Sequence, residues 1–136
     1  MASNRIRRNS RRCLVFLDTS AIFMIFERNI RLEEELDRLL SSYEIFILQS
    51  VFDEILMLKE QGSEKQKKLA KLAVQLIKRY PIFKESNHNT ADKALLHEAM
   101  LQSAIVVTND VALRKELHKH SLKSICLRGK NHLMLE

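Results

Sequence analysis

The sequence predicts an α/β fold: a single-domain α/β/α sandwich around a central parallel sheet of about five strands. The run Cys13–Leu17 (C-L-V-F-L) is apolar without alternation, and Ile45–Leu48, Ala104–Val107 and Ser124–Leu127 repeat that character. Continuous apolar runs of this length suit strands buried on both faces, as in the middle of a parallel sheet. Between these runs lie segments with helical apolar spacing, and strands alternating with helices imply parallel pairing through right-handed crossovers. Only two Gly and one Pro are present, too few for a turn-rich all-β fold.

The bulk properties narrow the class further. A chain of 136 residues fills one domain with a real core. Apolar content of 46% and charged content of 29% are those of a soluble globular protein. No apolar run approaches the ~20 residues of a membrane span, and Met1 to Arg12 has no apolar segment of a secretory signal. The expected location is cytoplasmic, with no membrane partner. Cys13 and Cys126 both fall in predicted buried strands, where a small hydrophobe explains them better than a disulfide or zinc. The net charge of +6 and a pI near 9.5 favour an anionic partner.

Residues 1–12 carry Arg5, Arg7, Arg8, Arg11 and Arg12, no acid and one isolated Ile6. Such a run cannot bury enough apolar area to order itself and is expected to be a disordered, Arg-rich arm preceding a domain at 13–136. An arm of this composition is suited to binding RNA phosphates. After Asp18, the hydroxyls of Thr19 and Ser20 are expected to cap a helix to about Glu27. Leu32, Leu36, Leu39 and Leu40 give the stripe of a second helix. Beyond the strand at Ile45–Leu48, Ser50 with Asp53 predicts a capped helix with Glu54 in its first full turn. Gly62 ends it, and Ser63 with Gln66 opens the next as a capping box.

In that next helix Leu69, Leu72, Ala73, Leu76 and Tyr80 are expected to face inward, opposite Lys65, Lys67, Lys68, Lys71 and Lys78, with Lys84 flanking. That lysine face is read first as solvated surface. Pro81 stops the helix, Ile82-Phe83 is a short edge strand, and Glu85–Asn89 form a loop. Thr90 caps a helix with Asp92 in its first turn. Leu113 and Leu117 point inward from a helix at 110–119, and Leu133–Leu135 adds a short tail strand after the strand at Ser124.

Four acids occupy comparable places: Asp18 and Asp110 at strand ends, Glu54 and Asp92 in early helix turns. Each alone is explained by helix capping or by the helix dipole. Together they are harder to dismiss, because strand ends and helix starts share one edge of a parallel sheet, where ligands collect. Clustered carboxylates repel and require either protons or a cation. Mg²⁺ takes oxygen ligands and keeps open positions, and such ions assist phosphodiester cleavage. An acidic pocket in a basic protein therefore predicts metal-assisted hydrolysis of nucleic acid.

V-F-L-D-T-S (15–20), V-F-D-E-I (51–55), T-A-D-K-A-L-L (90–96) and I-V-V-T-N-D-V-A-L-R (105–114) together resemble a PIN domain over about residues 13–128. The resemblance implies a Mg²⁺- or Mn²⁺-dependent ribonuclease whose catalytic and metal-holding acids are Asp18, Glu54, Asp92 and Asp110. Ser20, Thr108 and Asn109 match polar neighbours that orient metal or water. Glu54 is preferred over Asp53 because it precedes the aliphatic pair Ile55-Leu56. The helix T-N-D-V-A-L-R-K-E-L, the segment K-S-I-C-L-R-G-K and the arm look more like the ribosomal-RNA processing branch than the VapC-type toxins. The expected partner is RNA, an rRNA precursor in the first reading. The alternatives are a toxin held by an antitoxin, or a non-catalytic RNA-binding assembly factor; a homodimer is also open.

The histidines supply no second chemistry. His118 and His120 favour a helix C-terminus, His88 lies in the loop before Asp92, and the sequence names no partner for His97 or His132. A receiver-type phosphoacceptor at Asp18 lacks the acidic pair expected before the first helix.

Overall fold

The computed structural model describes residues 12–85 and 90–136. Arg5, Arg7, Arg8 and Arg11, and His88, lie outside the described residues, so Arg12 alone represents the expected arm. The elements run β1 (Cys13–Leu17), α1 (Thr19–Glu27), α2 (Leu32–Leu39), β2 (Tyr43–Leu48), α3 (Gln49–Gln61), α4 (Glu64–Ile77), β3 (Ile82–Phe83), α5 (Ala91–Gln102), β4 (Ile105–Val107), α6 (Val111–Lys119), β5 (Ser124–Arg128) and β6 (His132–Leu135).

The sheet has the order β3-β2-β1-β4-β5-β6, with helices on its faces in an α/β/α arrangement. Pairing is parallel from β3 to β5, and β6 returns antiparallel to β5. The five expected parallel strands are present, and the tail forms a sixth. β1 is central, and Leu14, Val15, Phe16 and Leu17 have no exposed surface. Both faces of the strand are covered, which is why its apolar run does not alternate. Burying each such side chain contributes roughly 1.5–3 kcal/mol. The order reverses between β1 and β4, the place where open α/β sheets form a crevice at their carboxyl ends.

Local chemistry accounts for the helix ends, with corrections. Asp18 itself caps α1 by accepting from the Thr19 N–H, not the hydroxyls of Thr19 and Ser20. No Ser50–Asp53 capping box forms. α3 begins at Gln49 directly from the strand, Ser50 lies inside the helix, and its N–H donates to the Glu85 carboxylate at 3.1 Å. The Ser63–Gln66 capping box is present, and Thr90 and Asp110 cap α5 and α6. Gly62 closes α3 with φ of −74°, so its role is room and not a left-handed turn. A Cβ there would meet the Leu58 carbonyl oxygen at 2.5 Å.

The inward stripe of α4 is rotated from the expected one. Ala70, Ala73, Val74 and Ile77 are buried, whereas Leu72 is 46% exposed. Small residues face inward where α4 packs closely on α3 and α1. Leu113 and Leu117 of α6 are buried as expected, and both cysteines are free thiols. His132 does have a partner, the Glu35 carboxylate at 3.2 Å. Among the described residues no helix is long and apolar enough to cross a membrane.

Candidate active site

Asp18 follows β1 at the sheet's carboxyl edge and is almost fully buried. Its N–H donates to the Val107 carbonyl at 3.0 Å, stitching the end of β1 to the end of β4. Its Oδ1 accepts from the Thr19 N–H at 2.7 Å, and its Oδ2 accepts from Thr108 Oγ1 at 2.7 Å and Ser20 Oγ at 3.0 Å. Burial pushes this carboxyl above its ordinary value; the three donors pull it down without cancelling that, and the charge of Asp110 adds to the rise.

Asp110 follows the β4 end after Thr108 and Asn109. Its Oδ1 accepts from the Leu113 N–H at 3.1 Å, and its own N–H donates to Thr108 Oγ1 at 3.0 Å. The buried Thr108 hydroxyl thus bridges the two acids, giving its proton to Asp18 and accepting from the backbone of Asp110. Asn109 faces elsewhere: its Oδ1 accepts from the Leu127 N–H at 2.9 Å, and its Nδ2 lies against the Met24 sulfur. Its side chain ties α1 to β5, while Ser20 and Thr108 hold Asp18.

Glu54 reaches the same edge from α3, where its Oε1 accepts from Thr19 Oγ1 at 2.5 Å. Asp53 is exposed and accepts from Gln49 Nε2 at 2.9 Å along its own helix. Of these two adjacent acids, Glu54 is therefore the one beside Asp18. Asp92, in the first turn of α5, has its carboxyl raised by burial and then by the charges of Asp18, Asp110 and Glu54. No cation enters that balance, and none of the four acids has an ion-pair partner among the described residues.

The structure thus places Asp92 within the field of the other three acids, and Asp18 within that of Asp110. Among the described residues no three His, Cys, Asp or Glu side chains share a ready ligating arrangement. The donor set is nevertheless all carboxylate and hydroxyl oxygen, uncompensated by Lys or Arg, which fits a hard divalent cation. Arg12 sits at the other edge, before β1, 3.9 Å from Glu44.

Two contributors escaped the sequence reading. Thr19 is not the helix cap that its position predicts; its buried hydroxyl positions Glu54. Glu85, an acid after edge strand β3, caps α3 through Ser50. The rule that singled out Asp18 and Asp110, an acid at a strand end, would have found it.

A mostly parallel sheet with acids at the β1/β4 reversal, introduced by the D-T-S and T-N-D turns, is the architecture of a PIN-like domain. A model described as "PIN like domain" matches residues 15–130, and the chain belongs to that family. It is 31% identical over 119 residues to Ribonuclease VapC4 of Methanocaldococcus jannaschii, covering 85% of this chain and 90% of the relative. The solved structure of the PIN domain endonuclease Utp24 superposes with a TM-score of 0.74 at 20% identity, covering 90% of each chain, a likeness of fold.

Proposed function

We propose that this protein is a divalent-metal-dependent endoribonuclease that hydrolyses RNA phosphodiester bonds. The observation that carries this reading is Asp92, whose carboxyl is raised by burial and then by the charges of Asp18, Asp110 and Glu54, with no cationic side chain to balance them. Membership of the PIN-like family and likeness to a protein named as a ribonuclease support the same class. Asp18, Glu54, Asp92 and Asp110 would hold Mg²⁺ or Mn²⁺. When bound, such a cation supplies Lewis-acid stabilisation of the charge that builds on the phosphate. The chain's own part is positioning. Thr108, Ser20 and the Thr19 N–H fix Asp18 in one orientation, Thr19 Oγ1 fixes Glu54, and the Leu113 N–H fixes one oxygen of Asp110. Asp92 has no such bond among the described residues.

The test is cleavage of single-stranded and structured RNA by the full chain in Mg²⁺ or Mn²⁺, with an EDTA arm. Cleavage should require the metal, and Asp92→Asn and Asp110→Asn should each lower the rate by orders of magnitude while RNA binding persists. Equal cleavage by an Asp18→Asn/Asp110→Asn double variant would assign the activity to a contaminant and leave a non-catalytic RNA-binding protein.

Processing of an rRNA precursor is the substrate reading favoured by the Arg-rich N-terminus. A second reading, a VapC-type toxin paired with an antitoxin, is favoured by the 31% identity to a protein of that name. Growth arrest on expression, relieved by the product of an adjacent small gene, would select the toxin.

A further inference from the structure

Beside the acidic edge, between the first turns of α5 and α6, lies a hollow of about 190 Å³ lined by Asp92, Lys93, Leu96, Ala112, Leu113 and Glu116. Leu113 forms a buried floor and Leu96 a half-buried wall, with Ala112 leaving the mouth open. The rim is charged on both sides. Lys93 is exposed and has no ion pair among the described residues. Glu116 Oε2 accepts from Lys119 Nζ at 3.1 Å, leaving Oε1 and the second lone pair of Oε2 available. Asp92 belongs to this rim and to the acidic cluster alike.

We infer that this hollow is a base subsite: it holds one nucleobase of the RNA next to the phosphate addressed by the acids. The inference rests on the nuclease reading and adds which part of the RNA is recognised. An aliphatic floor and wall offer a surface for the flat face of a base, whose stacking on protein is tolerant of sequence. The hollow is small, sized for a single base and not for a helix. Continuity with Asp92 places that base next to the reacting phosphate, and Lys93 at the rim meets the negative charge of the adjoining backbone. Selectivity comes from Glu116. A carboxylate only accepts hydrogen bonds, so it favours a base that presents donors. Guanine offers its ring N–H and its exocyclic amine side by side, matching two carboxylate oxygens, whereas adenine and cytosine present the amine alone.

The experiment uses the full chain and short oligouridines that carry one central guanosine, adenosine, cytidine or abasic residue. The wild type should cut at a fixed offset from the guanosine, with kcat/KM about tenfold or more above the abasic RNA. Ala112→Phe, which fills the mouth, and Leu96→Asp, which charges the wall, should bring that ratio toward one. Glu116→Gln should narrow the preference for guanosine over adenosine. Matched circular dichroism and Tm identify variants that fold. A ratio unchanged in both hollow variants, or cleavage positions indifferent to the single base, would overturn the subsite. If the wild type cuts no RNA, the nuclease reading fails by itself, and affinity measured in Ca²⁺ then decides the subsite. A guanosine-over-abasic affinity ratio lost in Ala112→Phe upholds it; equal affinities overturn it.

Discussion

Thr19 binds two acids at once: its N–H holds Asp18 Oδ1 at 2.7 Å, and its hydroxyl holds Glu54 Oε1 at 2.5 Å. The start of α1 is thereby tied to α3, two elements remote in sequence. Thr19→Val keeps the backbone bond and the shape but frees Glu54. RNA cleavage should fall about 10- to 100-fold, the usual cost of losing a group that orients a ligand. Thr19→Ser should restore most of it. Unchanged metal titration and cleavage in Thr19→Val would reduce the bond to packing.

The acidic cluster should make the metal-free protein more stable as pH falls below neutrality. Burial raises both Asp18 and Asp92, with neighbouring carboxylates adding to the rise, so their folded-state values lie above the ordinary 3.8. An acid raised in this way binds its proton more tightly folded than unfolded. Its cost to stability is present above the folded value, and is relieved as pH falls through that value toward 3.8. Asp92→Asn should raise the Tm in EDTA and flatten this pH dependence. It should also shrink the gain in Tm from millimolar Mg²⁺, since less repulsion remains to be neutralised. A wild-type Tm insensitive to both metal and mild acid would refute a shared charge cluster.

Glu35 behaves in the opposite sense. Burial favours its neutral form, but hydrogen bonds from Arg38, the Leu133 N–H and His132 outweigh it and hold the carboxyl down to about 2. Arg38 also donates to the Leu133 carbonyl at 2.6 Å, so one ion pair clasps β6 to α2. A depressed acid stabilises above its unfolded value of 4.5, and this is lost as pH falls from there to about 2. Glu35→Gln should cost about 1–3 kcal/mol at pH 7, a charge-assisted bond's worth. The cost should vanish near pH 2. Urea titrations at the two pH values separate this from a general packing loss.

Glu98 of α5 is fully buried, and neither carboxylate oxygen has a hydrogen-bond partner among the described residues. A buried unsatisfied polar group costs about 1–3 kcal/mol, so a near-isosteric apolar replacement removes a penalty. Glu98→Met should raise the urea midpoint by that order. A destabilised variant would mean that Glu98 is satisfied by a group outside the described residues.

The sheet was legible because β1 and β4 are buried on both faces, and β2 and β5 over part of their length, and their unbroken apolar runs advertise it. The acids were legible because strand ends and helix starts share an edge, so chain position points to Asp18, Asp92 and Asp110 and to the Asp53-Glu54 pair, of which the resemblance to the PIN motif chose Glu54. What chain position cannot supply is side-chain direction. Asp53 and Glu54 are adjacent, and only the helix phase turns Glu54 toward Thr19 and Asp53 toward Gln49. The inward face of α4 was misjudged for a related reason: large leucines dominate a periodicity reading, yet close helix packing selected Ala70 and Ala73. Glu85 capping Ser50 pairs residues 35 apart, so a strand-end rule picks out the acid but not its partner.

RNA should also be held away from the chemistry, by the N-terminal arginines. Arg12 lies before β1 and Asp18 after it, so the two edges of the sheet are about 16 Å apart at ~3.3 Å per strand residue. Eleven residues precede Arg12, and their extended length of up to ~36 Å exceeds that span. Their four arginines can therefore engage phosphates of an RNA that also enters the acidic edge. Affinity for single-stranded RNA should fall linearly with log salt, by about 0.7 in slope per phosphate neutralised. Deleting residues 1–11 should flatten that slope by about one to three units. Cleavage per bound molecule should persist, since no acid is lost. An unchanged slope would move the footprint to α4 and its C-cap, where Lys68, Lys71 and Lys78 are exposed and have no ion pair among the described residues.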